Sequence, residues 1–135
     1  MTRAWTITRS WLLGLTLLVV AHLLWWGVLV EVPFAEVLRV LLFVIPVIAA
    51  FAVTYLAPKL KLLLGTSMGL CGALLGFLAM AAYAELGYHI DRVGGPLATF
   101  AILLAYHLGY ALVGTAAGYL VWRARSRSNS VTPVI

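Results

Sequence analysis

The chain has 135 residues, of which 64% are hydrophobic and only 10% are charged, and its net charge is +5. A soluble domain carries about 25% charged residues, so this composition excludes an ordinary soluble fold and predicts that lipid is the solvent. The basic residues flank apolar segments, which argues against a nucleic-acid partner and indicates membrane topology signals. The single cysteine, Cys71, allows no disulfide within the chain.

Four apolar segments are long enough for membrane-crossing helices, which need about 20 residues. They cover residues 11–30, 37–57, 62–84 and 97–122. The short connections predict that consecutive helices are antiparallel neighbours. We therefore expect an all-α integral membrane protein, in which four transmembrane helices form an up-down bundle as one domain over residues 1–122. The basic, Ser-rich residues 123–135 are predicted to be a disordered tail.

The first segment resembles the core of a signal peptide, but it is longer than such cores are. No small-x-small cleavage site follows it, so we expect a retained helix.

The basic residues are divided unevenly between the two sides of this predicted bundle. Cationic residues concentrate on the cytoplasmic side of membrane proteins. One side carries Arg3, Arg9, Lys59, Lys61, Arg123, Arg125 and Arg127. Only Arg39 and Arg92 fall on the other side. The pattern predicts a multi-pass protein of the inner cell membrane with both termini in the cytoplasm.

Glycines recur at helical spacing in the third and fourth segments. In lipid, small residues let helix backbones approach closely, and packing then drives helix association. The predicted packing positions are Gly65, Gly69, Gly72, Gly76, Gly114 and Gly118. This stripe is longer than one intramolecular contact requires, which favours a homo-oligomer or other membrane subunits as partners besides the lipid bilayer. Close approach of a transported substrate is the alternative explanation.

The second segment contains Pro46 near its middle. Proline removes a backbone donor and predicts a kink, either as static packing or as a hinge. Arg39 lies about two turns earlier. We expect its long side chain to extend to the outer surface or to pair with Glu36 or an acidic residue of the third connection.

His22 and His107 are ionisable residues inside predicted spans. Such residues are costly in lipid and are therefore functional candidates. At 1.5 Å per residue they lie about 12 Å and about 15 Å from the outer ends of their helices. In a four-helix ring the first and fourth helices are neighbours, so the two imidazoles can face each other. His107 also shares a helical face with Gly114 and Gly118, which directs it into the bundle.

Three interpretations of the two histidines stay open. In the first, each imidazole is a neutral hydrogen-bond partner of a neighbour such as Tyr106 or Tyr110, at about 0.6 kcal/mol per bond. In the second, the pair forms a polar site for a solute, a proton or an ion. In the third, the pair ligates a b-type haem between two helices.

The third connection contains Glu85, His89 and Asp91. These residues are weak candidate ligands for a divalent cation at the outer mouth. The same residues also arise in a hydrated acidic loop, and we predict no metal site there.

The chain contains no CxxC, HExxH, GxSxG or phosphate-loop motif, which argues against an enzyme. We expect a small-solute or ion transporter, or a membrane subunit of a larger complex, without catalytic chemistry. Its predicted interior polar site consists of His22, His107, Tyr106, Tyr110 and Arg39. The alternative is an electron-transfer protein that holds haem b between His22 and His107.

Overall fold

The computed structural model describes residues 3–26, 36–87 and 94–129 of the chain. Over these residues the protein is all-helical and forms a bundle of four helices, as the sequence predicts. The helices are α1 Arg3–Leu24, α2 Glu36–Leu56, α3 Lys61–Glu85 and α4 Pro96–Asn129.

Three of these helices contain stretches that are long and apolar enough to cross a membrane. The stretches are Thr6–Leu24, Lys61–Glu85 and Pro96–Ser128. The 25 residues of α3 extend for about 38 Å, more than the roughly 30 Å of a bilayer core. In α2 the apolar stretch found among the fully described residues is Val44–Leu56, so the span predicted over 37–57 stays a prediction.

The start of α1 and the end of α4 differ from the predicted bounds. Helix α1 begins at Arg3 and is followed by a wider π-type turn at Trp25 and Trp26. Helix α4 continues to Asn129, so seven residues after Trp122 are helical where composition predicts disorder. In this extension Ser126 donates to the Trp122 carbonyl at 2.9 Å, and Arg125 donates to the Tyr55 hydroxyl of α2 at 2.6 Å.

The side chain of a lysine in the first turn of α3 caps the C-terminal end of α2. The Lys61 ammonium donates to the carbonyls of Thr54 (3.2 Å) and Tyr55 (3.0 Å) and to that of Ala57, and lies 4.7 Å from the centre of the Trp122 ring. The last carbonyls of a helix lack intrahelical partners and carry partial negative charge, which a cation there satisfies. Leu60 precedes it in the left-handed conformation, with φ 52°.

Small side chains make up much of the core. The fully buried cluster contains Leu18, Ala49, Ala50, Val53, Met68 and Ala111. Helix α4 packs extensively against α3 and α2, whereas α1 packs against α2 and α3. Helices α1 and α4 approach each other least. The ring in which the first and fourth helices are close neighbours is therefore not formed, and a groove separates them.

The glycines of α3 and α4 face different neighbours. On α3, Gly69 lies against the Leu108 backbone of α4, and a Cβ at Gly69 would come within 2.9 Å of the Leu108 Cα. On α4, Gly114 lies against the Val47 carbonyl of α2, and Gly118 against the Phe51 backbone. Because none of these three contacts leaves room for a side chain, the glycines set the spacing of α4 from both neighbours.

Candidate ligand-binding groove

A cavity of about 470 Å³ lies in the groove between α1 and α4. Its floor includes Pro46 of α2 and Gly76 of α3. The remaining lining residues are Ala21, His22, Trp25, Trp26, Ile102, Leu103, Tyr106, His107 and Tyr110. Small-molecule sites in proteins typically measure about 300–1,000 Å³ and are mostly apolar with a few polar groups. The groove has that size and that kind of lining.

The two intrahelical histidines meet in this groove. His22 comes from α1 and His107 from α4, and their ring centroids lie 5.5 Å apart with 18° between the ring planes. The helices that carry them are not close neighbours. The imidazoles meet because both side chains reach across the gap to the same surface of α3.

Each imidazole is anchored to its own helix. His22 Nδ1 lies 2.8 Å from the Leu18 carbonyl oxygen, and His107 Nδ1 lies 2.8 Å from the Leu103 carbonyl oxygen. Because a carbonyl oxygen only accepts hydrogen bonds, each Nδ1 carries the proton and donates. In a neutral ring, Nε2 is then the nitrogen with a free lone pair. Neither Nε2 accepts a hydrogen bond from another described residue.

Gly72 and Gly76 of α3, together called the glycine ledge, support both rings. A Cβ at Gly76 would lie 3.3 Å from His22 Nε2 and 3.6 Å from His107 Cε1. A Cβ at Gly72 would overlap the Cδ2 edge of His107 and lie 3.3 Å from its Nε2. The His107 ring thus occupies space that a side chain at position 72 would fill, and the Nε2 atoms of both rings lie close to α3.

Aromatic side chains form the walls of the groove. Tyr106 and Tyr110 line it from α4, and Tyr106 is 60% exposed. Trp25 and Trp26 line it from the turn after α1, and the Trp26 ring lies 5.2 Å from the Tyr83 ring of α3. The two tryptophans are not among the residues predicted for the interior polar site. They stand three and four residues after His22, a spacing that places them on the face of that histidine.

Of the remaining candidate residues, the structure places Pro46 and the backbone of Arg39. Pro46 is buried in the floor of the groove, and α2 continues through it. Arg39 lies in the first turns of α2, and its side chain lies outside the described residues.

Of the weak metal candidates of the third connection, only Glu85 lies within the described residues. Glu85 ends α3 and is exposed, while His89 and Asp91 lie outside the described residues. No group of three or more His, Cys, Asp or Glu side chains occurs within the described ranges.

A second buried polar pair lies where α2, α3 and α4 meet. The hydroxyls of Thr54 and Thr115 converge on Gly65 of α3. Both threonines are buried, and neither hydroxyl has a hydrogen-bond partner. Contacts from a glycine Cα–H to oxygen are weak hydrogen bonds that recur at close helix interfaces. The pair therefore belongs to the packing of the bundle and lies apart from the groove.

Fold and groove together define a helical bundle with three helices suited to a membrane and a two-imidazole site between the first and the last. No family model, curated protein or solved structure matches the chain.

Proposed function

We propose that this chain is a small multi-pass membrane protein that binds a small solute or ion at the His22–His107 pair. It acts without catalytic chemistry, either as a transporter or as a membrane subunit of a larger complex. The observation that carries the proposal is the convergence of two imidazoles with free Nε2 lone pairs in a groove of ligand size.

The proposed topology is four antiparallel spans in the inner cell membrane, with both termini in the cytoplasm. The end of α2, the start of α3 and the late part of α4 lie at one end of the bundle, where Lys61 contacts Trp122 and Arg125 contacts Tyr55. This grouping supports the proposal because it gathers basic residues at one end, as the positive-inside rule requires.

Reconstitution into liposomes tests the transporter. The protein is assayed with internal dyes for protons, monovalent cations and small anions. We expect flux of one of these, and loss of it in His107→Ala and in His22→Ala. Leu112→Ala is the matched control, because Leu112 is a 55%-exposed residue of α4 outside the groove lining. Flux that survives in both histidine variants would contradict a role for the pair in transport.

The subunit version predicts a stable assembly, either with further copies or with other membrane proteins. Cross-linking in native membranes followed by mass spectrometry of the purified band identifies such a partner. Histidine variants that neither change flux nor alter the assembly would overturn the proposed role of the groove in both versions.

A second candidate function is electron transfer by haem b, with His22 and His107 as axial ligands. The observation in its favour is that both Nδ1 atoms donate to backbone carbonyls, the arrangement by which proteins orient histidine ligands toward a metal. Haem would supply one-electron redox chemistry there. The glycine ledge argues against the fit. A Cβ at Gly76 would lie 3.3 Å from His22 Nε2, and a Cβ at Gly72 would lie 3.3 Å from His107 Nε2. Helix α3 therefore occupies space beside the two nitrogens into which a macrocycle would extend.

An absorption spectrum of protein expressed with added haem decides between the two candidates. A Soret band with sharpened α and β bands after dithionite, lost in either histidine-to-alanine variant, would establish the haem protein. A colourless preparation would exclude it.

A further inference from the structure

We infer that the groove binds an uncharged aromatic molecule with a hydroxyl group, and that this hydroxyl donates a hydrogen bond to Nε2 of His22. His107 is a positioning residue in this arrangement. The inference rests on the proposed function, because it names the chemical class of the solute and separates the roles of the two histidines.

The imidazoles offer the groove hydrogen-bond acceptors. Nδ1 of His22 donates to the Leu18 carbonyl and Nδ1 of His107 to the Leu103 carbonyl, each at 2.8 Å. A neutral imidazole has one donor and one acceptor nitrogen, so Nε2 of each ring accepts. A ligand that pairs with Nε2 therefore carries an O–H or N–H group. A hydroxyl can also accept from a phenol, and Tyr106 and Tyr110 line the same groove.

The two Nε2 atoms differ in their relation to the cavity. His22 approaches α3 at Gly76, where a Cβ would lie 3.3 Å from its Nε2, and Gly76 is part of the cavity floor. The Cδ2 and Nε2 atoms of His107 instead pack over Gly72, where a Cβ would overlap Cδ2 and lie 3.3 Å from Nε2. The Nε2 of His22 thus borders the cavity floor, while that of His107 is turned onto the surface of α3.

The size of the cavity and its aromatic lining favour a flat ring as the body of the ligand. The cavity measures about 470 Å³, several times the roughly 30 Å³ that a water molecule occupies in the liquid. Trp25, Trp26, Tyr106 and Tyr110 line it. Aromatic rings attract one another in offset and edge-to-face arrangements beyond the effect of the area they bury. An aromatic ligand gains this attraction from several walls at once.

The surface position of the groove favours a ligand without charge. Ile102 and Tyr106 line the groove and are 41% and 60% exposed, so the lining reaches the outside of the bundle. In the proposed topology this outside faces lipid. An uncharged aromatic molecule dissolves in lipid and enters from the side, whereas an ion must first give up its hydration.

The test compares two probes, 2-naphthol and its methyl ether 2-methoxynaphthalene, with the full-length protein in lipid nanodiscs. The two probes share the same rings, and the ether lacks the donor. Equilibrium dialysis measures binding, and empty nanodiscs measure the partition into lipid that is subtracted. We expect 2-naphthol to bind about tenfold more tightly than the ether, the effect of one buried hydrogen bond.

His22→Phe removes the acceptor and keeps a ring at that position. In this variant we expect the preference for 2-naphthol over the ether to disappear. His107→Phe is the matched control, and there we expect the preference to persist even if both probes bind more weakly. Nitrogen-15 NMR of the unaltered protein provides a readout without substitution: 2-naphthol should shift the His22 Nε2 signal more than that of His107, and the ether should not.

Equal affinity of the unaltered protein for the two probes would overturn the inference. Persistence of the preference in His22→Phe, or its loss in His107→Phe, would overturn it as well. Flux of another solute that still depends on both histidines would in each case leave the proposed function standing.

Discussion

The imidazole of His107 rests on Gly72, in the space that a Cβ at that position would fill. This contact joins the two most distinctive features of the sequence, the glycines of α3 and the histidine of α4. The glycines are required there because a ring from another helix lies on them, and the ring is held because its Nδ1 donates to Leu103. The contact leads to predictions about both stability and the state of the site.

Both histidines are expected to be in the Nδ1–H tautomer when neutral. The reason is that each Nδ1 lies 2.8 Å from a carbonyl oxygen of the preceding turn, which only accepts hydrogen bonds. Nitrogen-15 NMR of histidine-labelled protein in detergent distinguishes the protonated nitrogen from the free one. A protonated Nε2 on either ring would contradict the orientation from which the site is built.

Gly72→Ala is expected to displace the His107 ring while leaving the bundle folded. The added Cβ overlaps the Cδ2 edge of the ring, and a side chain yields more easily than a backbone. The His107 nitrogen signals should shift more than those of His22. Gly109→Ala on α4 is the control, because open space surrounds that glycine. Equal shifts of both rings in Gly72→Ala would show that the ledge does not support His107 specifically.

Gly114→Ala is expected to destabilise the whole bundle. Its Cβ would overlap the Val47 carbonyl and come within 3.0 Å of the Ala50 Cβ, so α2 and α4 must separate. Overpacking of a well-packed contact costs about 1–3 kcal/mol. Gly109→Ala should instead stabilise its helix by up to about 1 kcal/mol. Thermal unfolding followed by circular dichroism compares the two variants, and similar melting temperatures would refute this account of the interface.

Lys61→Met is expected to lower stability by about 1–2 kcal/mol, the magnitude of a partly buried cation at a helix C-terminus. The substitution leaves the carbonyls of Thr54, Tyr55 and Ala57 without the ammonium that they contact. Lys59→Met removes the same charge from an exposed position two residues earlier. If both variants melt at the same temperature, net charge rather than capping explains any effect.

Leu60→Gly is expected to stabilise the protein by up to about 1 kcal/mol. A non-glycine residue in the left-handed conformation costs about 1–2 kcal/mol, partly offset by the greater freedom of glycine in the unfolded chain. Leu60 has φ 52° and is 62% exposed, so little packing is lost. Leu60→Ala keeps the Cβ and should show no such gain. A lower melting temperature for the glycine variant than for the alanine variant would contradict this prediction.

The sequence by itself determined the helical fold class and identified the two intrahelical histidines as candidate functional residues. Apolar runs of about 20 residues predict membrane helices because lipid satisfies no backbone hydrogen bond. Their ends were less predictable: α4 continues to Asn129, and in this extension Arg125 donates to Tyr55 of α2, a contact that no local pattern encodes. The histidines could be singled out because a polar ring within an apolar run is costly wherever the run packs.

Only the tertiary structure decided how the histidines meet. The sequence suggested adjacent first and fourth helices, yet α1 and α4 approach each other least, and the rings meet on the glycine ledge of α3. The sequence also could not predict which nitrogen of each imidazole is unprotonated, because the tautomer follows from the distance between Nδ1 and a carbonyl oxygen. Helical spacing gives the direction of a side chain around its own axis, but the relative positions of three helices come only from close packing between them.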